Sequence, residues 1–187
     1  MRIDRLKLDN FRCFESRAFD LAERFALLVG DNGKGKTAVL DALSVAAGAW
    51  LLGIPEAPAR SIRPDEVRRA SYVVGGVGTL EPQTPTLVSC TGVIDGQEVG
   101  WGRGLASVDG RTNRRGAVDI SRLASEACRE VQAGRPVALP LISYYGTGRL
   151  WVQKRQRSTE PFARGSRLRG LSTSARSRSL SEKGHLN

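Results

Sequence analysis

Eight consecutive residues, Gly30-Asp31-Asn32-Gly33-Lys34-Gly35-Lys36-Thr37, have types and spacing that prescribe a chemistry. They fill every fixed position of G-x-x-x-x-G-K-[ST]. Gly30, Gly33 and Gly35 let the backbone wrap closely around a polyphosphate, so that successive N–H groups point inward as an anion-binding nest. A helix starting near Lys36 adds the positive end of its dipole at the same point. Lys36 would place its ammonium between the β- and γ-phosphates, and Thr37 would offer its hydroxyl to Mg²⁺. Lys34 is an auxiliary charge, either solvated or facing the phosphates. The expected ligands are therefore ATP and Mg²⁺.

Such a loop works only between a strand and a helix, and the flanking residues supply both patterns. Phe25-Ala26-Leu27-Leu28-Val29 is a compact apolar run stopping at Gly30, as expected of a strand buried on both faces. Val39, Leu40, Leu43, Ala46, Ala47, Trp50 and Leu51 follow at helical spacing, and Gly53 and Pro55 end the helix. Upstream, Ile3, Leu6 and Leu8, then Phe11, Phe14 and Phe19, predict two short strands with a turn around Asp9-Asn10. Residues 55–85 read mostly as loop, with a short helix at Asp65–Ala70. Asp95-Gly96 between Thr86–Ile94 and Glu98–Arg103 is a hairpin signal. Val118–Val131 reads as an amphipathic helix, and Val137–Tyr145 as a second buried strand.

Charge divides the chain. Residues 1–147 carry 19 Lys+Arg against 17 Asp+Glu, whereas residues 148–187 carry 10 against 2. The formal charge of +10 on 187 residues is thus mostly the property of a tail at 154–187, whose sparse apolar residues predict disorder. Three separated cysteines and one histidine provide neither a disulfide framework nor zinc-ligand spacing. No signal peptide is evident, and no run reaches the roughly 18 apolar residues of a membrane helix. A cytoplasmic location without membrane contact is expected.

Leu8-Asp9-Asn10-Phe11-Arg12-Cys13-Phe14 resembles the L-x-N-F-R-x-F opening of RecF, SMC-type and related ABC-class ATPases. The loop at Gly30–Thr37 is similar to their G-x-N-G-x-G-K-[ST] variant. Gly75–Gln83 and Tyr144–Trp151 resemble a bacterial branch of predicted ATP-binding AAA proteins. The resemblance covers residues 1–153. It implies an α/β P-loop NTPase fold, the N-terminal lobe of an ABC-ATPase, with a mixed sheet and an antiparallel hairpin. It places Arg12 near the nucleotide phosphates and Asn32 in the loop. Gln153 lies where a glutamine reporting on Mg²⁺ falls, though it also reads as a tail residue, and Tyr144 and Tyr145 read as core packing at a strand end.

Two patterns of these families are missing from the sequence: an L-S-G-G-like signature loop, and an apolar strand ending in Asp-Glu. The expectation is therefore the N-terminal lobe of a longer ATPase, cut or shifted in reading frame near residues 155–165, with weak hydrolysis alone. In the family two nucleotide-binding heads sandwich ATP, so a second head or homodimer partner is implied, and intact relatives serve DNA repair or defence against foreign DNA. A nucleic-acid-binding module using the basic tail, and a small P-loop kinase with Arg111, Arg114 and Arg115 as a lid, are the alternatives.

Overall fold

The computed structural model describes residues 1–75 and 77–146. Its centre is a four-stranded sheet of order β2-β1-β5-β6, formed by β1 (Arg2–Phe11), β2 (Phe14–Asp20), β5 (Thr86–Ile94) and β6 (Gln97–Leu105). β3 (Arg69–Val74) and β4 (Val77–Pro82) make a separate two-stranded ribbon. Every ladder among the described residues is antiparallel. Among the described residues there are two α-helices, α1 (Lys36–Gly48) and α2 (Val118–Gln132).

Strand β5 shows why the sheet has one wet and one dry face. Thr86, Val88, Cys90, Gly92 and Ile94 are buried, and the residues between them are not. That period of two matches the pleat. Leu6 and Leu8 of β1 and Trp101 and Leu105 of β6 join the same dry face. Each fully buried aliphatic side chain of this kind stabilises by about 1.5–3 kcal/mol. Helix α1 covers the face with Ala38, Val39, Ala42, Val45 and Ala46, spaced three and four apart. Its alanines let backbone come close to the sheet, and the Trp101 indole N–H donates to the Ala46 carbonyl at 2.9 Å.

The Asp95-Gly96 hairpin forms as the sequence predicts, with both residues at positive φ (49° and 76°). The amphipathic helix at 118 also forms. The first turn lies at Arg12-Cys13 rather than at Asp9-Asn10, because β1 continues to Phe11, which is fully buried. The helix after the phosphate loop is α-helical only to Gly48 and then tightens into a 3₁₀ turn at Trp50–Gly53. The expected short helix at 65–70 is a 3₁₀ turn at Pro64–Glu66, after which the chain enters β3. The stretch read as loop therefore contains a ribbon.

Among the described residues the two expected buried strands do not join a ladder. In Phe25–Val29 the side chains of Phe25, Leu27 and Val29 are 75%, 73% and 83% exposed, and only Leu28 packs on the core. Val137–Tyr145 likewise forms no strand among the described residues, with Leu139 and Ile142 inward and Leu141 and Tyr145 exposed. An apolar run becomes a central strand only where ladder partners lie on both edges, and neither segment is part of a ladder among the described residues. One helical stretch, Lys36–Gly53, is long and apolar enough by composition to cross a membrane, but 56% of it is buried, as a core helix requires. The tail and Gln153 lie outside the described residues.

Candidate nucleotide-binding site

The phosphate loop leaves the unpaired segment at Gly30 and ends at the first turn of α1. Gly33 and Gly35 sit at φ 82° and 87°, a left-handed region that glycine enters without steric cost. Gly35 is the N-cap of α1 and no side chain among the described residues caps the helix, so its first N–H groups face the loop without a side-chain acceptor there. The Lys36 ammonium turns back over the loop and donates to the Gly30 carbonyl at 2.5 Å and the Asp31 carbonyl at 2.7 Å. The ammonium is thereby held against the loop backbone.

A cleft of about 320 Å³ opens here, lined by Arg12, Cys13, Asn32, Gly33, Gly35, Lys36, Thr37 and Ala38. Six of the eight residues expected at the site are on that wall: Arg12, Asn32, Gly33, Gly35, Lys36 and Thr37. Gly30 contributes by its carbonyl to Lys36 rather than as lining. Lys34 is exposed and off the wall. Thr37, the expected Mg²⁺ ligand, is exposed at the start of α1. The left-handed glycines, the uncapped helix end and two cations in one cleft form a cradle that fits a polyphosphate.

Arg12 comes to this cleft from the β1–β2 turn, about twenty residues of sequence ahead of the phosphate loop. Its φ is 51°, unusual for a residue with a β-carbon. The Arg12 N–H donates to the Glu66 carbonyl at 2.7 Å and the Arg68 N–H to the Asn10 carbonyl at 2.9 Å, which fixes the turn. Its guanidinium meets Asp41 at 2.8 Å and Glu66 at 3.1 Å. Asp41, Arg60 and Glu66 were not evident from the sequence, because an acid on α1 and charges in a Pro-rich stretch look like ordinary solvated residues. Tyr144 does not pack as a plain core ring, since its hydroxyl donates to Asp41 at 2.6 Å, and Tyr145 is 73% exposed.

Cys13, also on the cleft wall, is exposed, whereas Cys90 and Cys128 are buried. Burial pushes the Cys90 thiol up to about 12. In the native chain at about pH 8, a chromogenic aromatic disulfide is expected to react rapidly with one thiol, Cys13, and with the other two only after unfolding. Three thiols reacting at one rate in the native protein would contradict this packing.

Residues 5–183 match the family model of an AAA domain. Similar proteins include the DNA replication and repair protein RecF of Rhizobium leguminosarum, 49% identical over 43 residues, which are 23% of this chain and 12% of that one. RecF of Rhizobium rhizogenes is 32% identical over 115 residues, 60% of this chain and 26% of the relative. The chain thus spans about a quarter or less of the length of these relatives. A solved structure from work on "ATP-driven dimerization and DNA stimulated activation of SMC ATPases" aligns with TM-score 0.43 and 23% identity, over 66% of this chain and 80% of that one. With nearly its whole length inside the family model, the chain belongs to the AAA domain family, and over part of that length it is similar in sequence to RecF.

Proposed function

We propose that this chain binds Mg-ATP in the cleft at the N-terminus of α1. The observation that carries the reading is the convergence of Lys36, Arg12 and the left-handed Gly33 and Gly35 on one cleft in front of an uncapped helix. Lys36 would exchange its two loop carbonyls for phosphate oxygens, and Asn32 and the loop amides would orient the same groups. Thr37 would hold Mg²⁺, whose chemistry is to neutralise charge on the phosphates. Hydrolysis by the chain alone is expected to be very weak. Asp41 and Glu66, the buried carboxylates behind the cleft, are both tied to arginines and so are poorly placed to activate water.

Titration calorimetry with Mg-ATP tests the reading directly. Binding should weaken by between about ten- and 100-fold in Lys36→Ala, the range for losing a charge-assisted contact. No heat of binding in the wild-type chain, or an unchanged Kd in Lys36→Ala, would refute it.

RecF relatives are named for DNA replication and repair, and on that likeness we place the role of this site in DNA repair, in the cytoplasm. A second head, supplied by another copy or a related chain, and DNA are the partners that go with this reading. Light scattering of the chain with Mg-ATP, with and without a short duplex, reads both. A monomeric mass and no duplex in the peak under every condition would remove them.

A further inference from the structure

Behind Arg12 lies a cluster of charges that the phosphate-loop pattern does not include. Glu66 is completely buried and Asp41 is 3% exposed. Arg60 bridges them at 3.1 Å to Asp41 and 2.5 Å to Glu66, and also donates to the Asp41 backbone carbonyl at 2.7 Å. Arg63 adds a side-chain contact to Glu66 at 3.3 Å and a backbone N–H at 3.0 Å. Arg12 completes the group through Nη2, which touches both carboxylates. Three guanidinium groups thus share two carboxylates.

A buried ion cluster is an uneconomical way to hold a fold together, because desolvation of the charges cancels much of their attraction and apolar replacements are often as stable. What such a cluster does supply is direction, since a guanidinium held on two fixed carboxylates loses most of its rotamer freedom. The member so directed here is the one on the phosphate cleft. The Arg12 backbone is pinned on the same loop, by its N–H on the Glu66 carbonyl. Arg60 and Arg63 share the two buried carboxylates with Arg12, and Arg63 also meets the exposed Asp65 at 3.4 Å, so the carboxylates are not spent on Arg12 alone.

We propose that Asp41 and Glu66 are positioning residues that hold Arg12 against the phosphate cleft, so that nucleotide affinity depends on both carboxylates through Arg12. This rests on the nucleotide-binding reading above. Because Tyr144 donates to Asp41, the segment at 141–146 is tied to the same device.

A double-mutant cycle on the full chain tests it, with Mg-ATP affinity measured by calorimetry and folding of each variant followed by thermal melting. Arg12→Ala is expected to weaken binding about tenfold and Glu66→Gln between about three- and tenfold, while the double variant binds as Arg12→Ala does. Asp41→Asn should give the same non-additive pattern, and it serves if Glu66→Gln does not fold. Equal losses from the carboxylate variants with and without Arg12 would overturn the proposal, as would wild-type affinity in both folded carboxylate variants. If neither carboxylate variant folds, their role is structural and the proposal falls. Lys36→Ala separates the two levels: without an effect there, the nucleotide reading and the proposal fall together. With that effect present and an additive cycle, only the positioning role fails.

Discussion

Gly35→Ala is expected to weaken Mg-ATP binding by about 100-fold or more and to destabilise the chain by about 1–3 kcal/mol. Two causes act at one atom. A β-carbon on Gly35 would sit 2.6 Å from Phe14 Cζ and 2.8 Å from Cys13 Sγ, well inside van der Waals contact. Cys13 is exposed and can rotate aside, but only across the cleft it lines. Phe14 has less room, for its ring is packed edge-to-face on Phe19 with centroids 5.4 Å apart. The second cause is the backbone itself: at φ 87° an alanine is strained whatever the space around it. If the chain relieves that strain by changing φ, the cap of α1 moves and the loop amides turn away from a common point. Calorimetry and urea unfolding check the two effects separately. Wild-type affinity in a folded Gly35→Ala chain would show that the cleft is not where the nucleotide lies.

The largest effect on stability is expected from Trp101. Its side chain is 4% exposed on the dry face of β6, opposite Cys90 of β5, and its N–H reaches across to α1. Trp101→Ala removes both the largest aromatic surface between sheet and helix and a buried hydrogen bond. A loss of about 3–5 kcal/mol follows, as for other large-to-small changes in a core. Trp101→Phe separates the terms. It keeps most of the area and drops the donor, and the Ala46 carbonyl still accepts from the Ala49 N–H at 3.1 Å. Its cost should be about 1–2 kcal/mol. Equilibrium unfolding in urea measures both, and a Trp101→Ala chain within about 1 kcal/mol of wild type would mean that α1 does not rely on this contact.

What could be read in advance was local. Asp95-Gly96 announces its hairpin because the turn needs two positive φ angles, and the loop at Gly30–Thr37 carries its chemistry in consecutive residues. The β3–β4 ribbon was lost among glycines and prolines, although Val73-Val74-Gly75-Gly76-Val77 has the form of a two-residue Gly-Gly turn between β-branched residues. Glu66 was hidden for a different reason. Its partner Arg12 is 54 residues away, and nothing in a Pro-Asp-Glu triplet shows that the third residue will be completely buried. Phe25–Val29 misled in the opposite direction, since apolar composition reports that a segment seeks partners and not that partners are within reach. Local rules settle turns and loops, whereas burial of charge and pairing of strands depend on contacts between distant parts of the chain.

That unpaired approach to the phosphate loop makes the loop a clasp with one fixed end. On the α1 side it is anchored through buried Ala38 and Val39, and on the other it continues into backbone that joins no ladder among the described residues. The free energy needed to open residues 25–33 locally is therefore much smaller than that needed to unfold the sheet. A ligand gripping the loop would act chiefly on that smaller quantity, raising protection of the loop amides far more than it shifts the melting of the whole chain.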